Sequence, residues 1–183
     1  MTYRLRWARD WLHSGGVVAY PTEAVYGLGC DPCNEQAIAR LLRLKRRAPD
    51  KGLILIAADY EQLRPFVLDL EPERMASILA SWPGPNTWLL PVREETSPLL
   101  TGRFDTLAVR VTAHPVAAGL CRAWGGALVS TSANRSGGEP VRDADAARKL
   151  FGADIDTVVE GAVGGRERPT PIRDARTGQT LRE

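Results

Sequence analysis

The residues best suited to chemistry fall in four separated stretches, each beside or within an apolar run. The run Gly16–Tyr20 leads into Pro21-Thr22-Glu23-Ala24-Val25-Tyr26-Gly27-Leu28. Lys45-Arg46-Arg47 and Lys51 bracket the approach to a second run, Leu53–Ala57. Arg110 stands inside a third, Thr106–Val111, where a guanidinium is out of place unless a partner or a ligand meets it. Ser130-Thr131-Ser132-Ala133-Asn134 leaves a fourth and enters a Ser-Gly-Gly loop. Cations that fork onto phosphate or carboxylate, with hydroxyl and amide donors among them, suit a small polyanion bearing phosphates. Each stretch alone has an ordinary explanation. The Ser/Asn segment is a turn, and Lys45–Arg47 is the cationic end of a helix. Only their combination points to an anionic ligand.

Other chemistries find no support. There is no G-x-x-x-x-G-K-[ST] loop, and Gly27-Leu28-Gly29 runs into Cys30-Asp31-Pro32 rather than completing a dinucleotide fingerprint. No G-x-S-x-G elbow occurs. His13 falls in a predicted helix, and His114 precedes Pro115, the place of a helix cap rather than of a base. A covalent nucleophile is therefore not expected. Cys30 and Cys33 form a C-x-x-C, but only Cys121, His13 and His114 remain to complete a metal site, with no second pair at metal spacing. Free, partly buried thiols are expected, and no metal held by protein ligands. Between Arg40 and Lys51 lie six cations against Asp50, a pattern that by itself predicts a solvated helix face.

The elements that must position these groups follow from periodicity. Helices are predicted over 4–13 (Leu5, Ala8, Trp11 and Leu12 inward), 35–46 (Ile38, Leu41 and Leu42 inward, with the Lys45 stem continuing the stripe), 72–82 (Met75, Ile78, Leu79 and Trp82 inward) and 115–124. Asp143 caps another that ends at Gly152, and Asp59 caps a short one over Tyr60–Phe66. Strands are predicted at 16–20, 53–57, 87–92, 106–111, 127–131 and 157–160, with a closing hairpin over 172–182 turning at Thr177-Gly178. The fold class is α/β, a mixed, twisted, open sheet with flanking helices. The 183 residues fit one domain, 1–183. Hydrophobic residues make up 44% and charged ones 25%, ordinary for a soluble chain. The apolar runs are too short to span a bilayer and the N-terminus is charged, so a cytoplasmic protein is expected.

Six segments in this order resemble the YrdC/TsaC family: YPTEAVYGLGCDP (20–32), LKRRAPDKGLIL (44–55), WPGPNTWLL (82–90), TLAVRVTAHP (106–115), STSANRSGG (130–138) and PTPIRDARTGQTLR (169–182). The resemblance implies a YrdC-like fold and a nucleotidyltransferase that condenses L-threonine, bicarbonate and ATP into threonylcarbamoyl-AMP and pyrophosphate. The product serves N6-threonylcarbamoylation of adenosine 37 in tRNA. The family signature K-x-R…S-x-N falls on Lys45, Arg47, Ser132 and Asn134. With Lys51, Thr106 and Arg182 these are the implied ATP contacts, Lys45 and Arg47 being also the implied catalytic cations, and Mg2+ is expected on the ATP. Thr22, Arg110, Ser130 and Thr170 are the implied threonine contacts, Arg110 for the carboxylate. Ala24 stands where the family often has threonine, and Pro169-Thr170-Pro171 where it often has Pro-Ser-Thr. The expected partners include tRNA or double-stranded RNA and a functional link to the tRNA threonylcarbamoyl transferase complex. The rival readings are an RNA-binding module without catalysis and a fragment of a carbamoyltransferase.

Overall fold

The computed structural model describes residues 2–167 and 170–182, with the backbone alone of Arg182. Its helices are α1 (Tyr3–His13), α2 (Glu35–Lys45), α3 (Pro72–Ala80), α4 (Pro98–Thr101), α5 (Pro115–Trp124) and α6 (Ala144–Phe151). Its strands are β1 (Val18–Pro21), β2 (Tyr26–Gly29), β3 (Ile54–Ala57), β4 (Thr87–Pro91), β5 (Thr106–Val111), β6 (Leu128–Ser132), β7 (Thr157–Val158), β8 (Ile172–Asp174) and β9 (Thr180–Arg182). Among the described residues these form one open sheet in the order β7-β1-β2-β6-β3-β5-β4-β8-β9. Pairing is mixed. β1/β7, β3/β5 and β4/β8 run parallel, and the other neighbours run antiparallel.

The alternation of side chains along the strands sorts the core into two layers. Val17, Ala19, Leu55, Val109 and Val129 point to one face, where Ile38 and Leu41 of α2, Ile78 of α3 and Phe151 of α6 meet them. Val18, Tyr20, Ile56 and Leu128 point to the other, under Ala8 and Leu12 of α1 and Leu120 and Cys121 of α5. Coverage on both faces explains the unbroken apolar run in β3. The second face is only partly covered. Thr106 and Ala108 of β5 alternate, half-exposed, with buried Leu107 and Val109. Their register partners Ile54, Leu89 and Pro91 are half-exposed as well. An open floor therefore remains beyond the reach of α1 and α5.

Several expectations are corrected. β2 carries two glycines, which weaken any strand pattern, and it is nevertheless the hairpin partner of β1. Gly29 is required by close approach, because a Cβ there would lie 2.4 Å from the Val129 carbonyl oxygen and 2.9 Å from the Tyr20 ring. Leu79 is exposed rather than inward, since the buried stripe of α3 is the narrow one of Met75 and Ile78. Asp59 does cap, accepting from Gln62 N–H, but over a single 3-10 turn, Tyr60–Gln62. β7 stops at Val158, two residues short of the predicted run. α4 lacks a long apolar stripe and was not predicted. His114 precedes α5 without capping it through its ring, which instead meets the Ala162 carbonyl at 3.0 Å. Cys30 and Cys121 are buried thiols and Cys33 is exposed, all free. No helix among the described residues is long and apolar enough to cross a membrane.

Gly29→Ala should cost about 1–3 kcal/mol of stability through overpacking. The urea midpoint, at unchanged slope, measures it.

Candidate active site

The open floor carries two adjoining hollows that share Ile54. The smaller, a cavity of about 80 Å³, is polar where it matters: Thr22, Arg110, Ser130 and Thr170 all line it, with Ser132 at its border. The larger, about 300 Å³, has Arg47, Lys51 and Thr106 at an otherwise apolar wall of Leu53, Leu89, Leu100 and Phe104. The sequence expectation put the ligand at strand exits. The structure puts both hollows on the uncovered sheet face, and the strand exits supply the rim.

Each group is held by local structure. α2 is capped at its start by Asn34, which accepts from Ala37 N–H at 3.0 Å. At its end Arg46 adopts a left-handed conformation, φ 53°, and the next residue's N–H returns to the Leu42 carbonyl at 3.0 Å. That turn sends Lys45 and Arg47 in different directions. Arg47 donates from Nη2 to the Gly52 carbonyl at 2.9 Å and from Nε to the same oxygen at 3.2 Å. It thereby ties down the loop that carries Lys51. Gly52 and Gly102 both lie at positive φ, and a Cβ on Gly102 would come 2.6 Å from Gly52 N, so the larger hollow's floor depends on glycine there.

Lys45 is buried, its ammonium turned toward the exit of β6. It donates to the Asn134 carbonyl and to Asn134 Oδ1, both at 2.9 Å, and to the Ser132 carbonyl. An ammonium has three N–H bonds, and the loop takes three. Ser132 Oγ donates to Asn134 Oδ1 at 2.6 Å, and Ser136 N–H returns to the Lys45 carbonyl at 2.9 Å. Burial, then the nearby Arg47 charge, brings the Lys45 pKa down to about 8. The family tetrad is therefore split between two tasks. Lys45, Ser132 and Asn134 knit α2 to the β6 exit, while Arg47 lies at the larger hollow.

Arg110 projects from β5 onto the open face. Its Nη1 donates to Thr170 Oγ1 at 2.6 Å, and Nη2 stands 3.4 Å from Glu23 Oε2. Thr112 Oγ1 donates to Glu23 Oε1 at 2.7 Å. Burial pushes the Glu23 carboxyl up, but Arg110 and the Thr112 hydroxyl outweigh it, so its pKa ends below the usual value. Glu23 was not among the predicted site residues. The signal available was a lone carboxylate in a polar stretch after a strand, matching a lone guanidinium inside another. The Arg182 side chain and Pro169 lie outside the described residues. The cluster from Arg40 to Lys51 is not simply a solvated face, since Arg40 pairs with Asp156 at 2.6 Å and Lys45 and Arg47 turn inward.

A family model labelled Sua5_yciO_yrdC and described as "Telomere recombination" matches residues 10–183. The chain belongs to the Sua5/YciO/YrdC family. Within that family it is 58% identical over 180 residues to the threonylcarbamoyl-AMP synthase of Halorhodospira halophila, covering 98% of this chain and 94% of that protein. It is 57% identical over 176 residues to the protein of the same name from Serratia proteamaculans, with 95% and 93% covered. Among solved structures, P. abyssi Sua5 complexed with L-threonine superposes with a TM-score of 0.85 at 34% identity, over 93% of this chain and 50% of that one. The chain thus spans half the length of Sua5. E. coli YciO superposes with a TM-score of 0.85 at 25% identity, over 98% and 88%. The open mixed sheet and its flanking helices are the Sua5/YciO fold.

Lys45→Met should speed amide exchange across residues 133–138 of the ligand-free protein by about tenfold, read by mass spectrometry. The linkage has a definite sign. From pH 8 to 10.5 the unfolded chain keeps a proton that folded Lys45 has lost, so this group's contribution to stability rises with pH across that window. Below pH 8 both states hold the proton and the burial penalty is fully present. Unfolding midpoints through the window should therefore rise more in wild type than in Lys45→Met.

Proposed function

We propose that this chain is a threonylcarbamoyl-AMP synthase, joining L-threonine, bicarbonate and ATP into threonylcarbamoyl-AMP and pyrophosphate for the threonylcarbamoylation of tRNA adenosine 37. One observation carries the reading: a small hollow lined by Thr22, Arg110, Ser130 and Thr170 opens beside a larger one bearing Arg47, Lys51 and Thr106. The names of relatives that match nearly end to end support it.

Threonine takes the small hollow, its carboxylate on Arg110 as a charge-assisted pair and its hydroxyl among Thr22, Ser130 and Thr170. ATP takes the larger one, its base against the apolar wall. Its phosphates run past Arg47 and Lys51 toward Ser132 and Asn134, with Thr106 beside them, and the family resemblance adds Arg182 to the set. The threonine amine, having lost a proton, either adds to carbon dioxide and releases a second proton to solvent or displaces water from bicarbonate, and a carbamate forms. A carbamate oxygen then attacks the α-phosphorus in line, and pyrophosphate leaves. Arg47 and Lys51 offset charge on the phosphoryl oxygens directly. Lys45 adds its charge while holding the Ser132–Asn134 loop. No protein nucleophile is needed, and proximity in one crevice lowers the barrier by about 7 kcal/mol or more.

Among the described residues no group of three His, Cys, Asp or Glu side chains is placed to hold a metal. Magnesium enters on the ATP phosphates as part of the substrate. The enzyme acts in the cytoplasm and passes its labile product to the transferase complex that modifies tRNA.

Arg47→Ala should reduce threonine-dependent pyrophosphate release by about 100-fold or more while the protein stays folded. Pyrophosphate assay and circular dichroism check this, and near-normal release would remove Arg47 from the mechanism. Mass spectrometry of products from ATP, bicarbonate and each amino acid in turn tests the reaction itself.

A further inference from the structure

Among the described residues three buried side-chain atoms have no hydrogen-bond partner: Glu23 Oε2, Arg110 Nε and His114 Nδ1. All three belong to one cluster. Thr112 Oγ1 donates to Glu23 Oε1 at 2.7 Å and accepts from His114 N–H at 3.1 Å, while Glu23 Oε2 faces Arg110 Nη2 at 3.4 Å. Both members of the ion pair are more than nine-tenths buried. The pair is too long for a good hydrogen bond, so charge holds it rather than directional bonding.

Burying such a pair costs desolvation that a loose contact does not repay in stability. The geometry points instead to ligand choice. Arg110 lines the small hollow, and Glu23 touches the guanidinium from outside it. Alone, Arg110 would attract any small anion, including bicarbonate and free carboxylates. With Glu23 attached, the Arg110–Glu23 pair is already neutral. A simple carboxylate would leave it with one negative charge in excess, in surroundings where unbalanced charge is expensive. An α-amino acid brings its own ammonium next to its carboxylate and keeps the set neutral.

We propose that Glu23 is a specificity-determining residue, neutralising Arg110 so that the small hollow takes a zwitterion and rejects a singly charged anion. The proposal rests on the reading of that hollow as an amino acid site.

The test is calorimetric binding, without turnover, of L-threonine and of 3-hydroxybutyrate, which is threonine without its amine. Wild type should bind threonine at least about tenfold more tightly. In Glu23→Gln, which keeps the shape and removes the charge, 3-hydroxybutyrate should gain, and the ratio of the two dissociation constants should move toward unity by about tenfold. A structural role alone would weaken both ligands together and leave the ratio in place, which overturns the proposal. If Glu23→Gln does not fold, the wild type still decides. Equal affinity for threonine and 3-hydroxybutyrate sinks the idea, and so does tight binding of the cation threoninamide. Should wild type not bind threonine at all, the amino acid site itself fails and this inference with it. An unchanged ratio with threonine bound removes only the role of Glu23.

Discussion

A sheet face that its helices cover only in part is the constraint on which the site depends. α1 and α5 lie over Val18, Tyr20, Ile56 and Leu128 and stop there. Beyond them Ile54, Leu89, Thr106 and Ala108 stay half-exposed, although the same strands are fully buried on their other face. Leaving apolar floor in water forgoes about 25 cal/mol for each Å² that a helix would have covered. The deficit is supportable because residues of α2, α3 and α6 together cover the opposite face in one core cluster. A ligand that covers the floor recovers part of it.

The two ends of that floor differ in their electrostatics. At the small hollow a cation and an anion are buried together, so the protein presents a guanidinium without presenting a net charge. At the larger hollow Arg47 and Lys51 meet no carboxylate within salt-bridge range among the described residues, although Arg47 fastens its own loop through backbone carbonyls. A triphosphate supplies negative charge in excess and an amino acid supplies none. The proposed placement of the two substrates follows that division of charge.

Lys45 illustrates how one motif is divided between two places in the fold. Its ammonium is consumed by the Ser132–Asn134 loop, and its burial is made tolerable by three acceptors rather than by a counter-ion. Arg47, two residues later, escapes because Arg46 turns the chain through a left-handed conformation. Two cations adjacent in the signature thus serve different ends. One fixes the geometry of the β6 exit and the other faces the cavity.

Much of this was legible in the residues alone. Helical stripes in α1 and α2, the helix that follows Pro115, the doubly buried β3, the capping aspartates at 59 and 143 and the closing hairpin all follow from local periodicity and cap chemistry, which need no long-range partner. The polar stretches predict a site for anionic groups, and the misplaced Arg110 predicts a partner or a ligand, of which the structure supplies Glu23 and Thr170 as partners. What the chain could not announce was pairing across distance. β2 hides its strand behind Gly27 and Gly29, and the need for Gly29 lies in the close approach of Tyr20 and Val129. Glu23 stands out as a lone carboxylate, but nothing local fixes Arg110, 87 residues away in sequence, as its partner, and the saturation of Lys45 depends on a loop that arrives from β6. Sequence determines which groups are present and how each element repeats. Only the folded chain decides which of them share a low-dielectric space, because burial and distance set the strength of every charge interaction there.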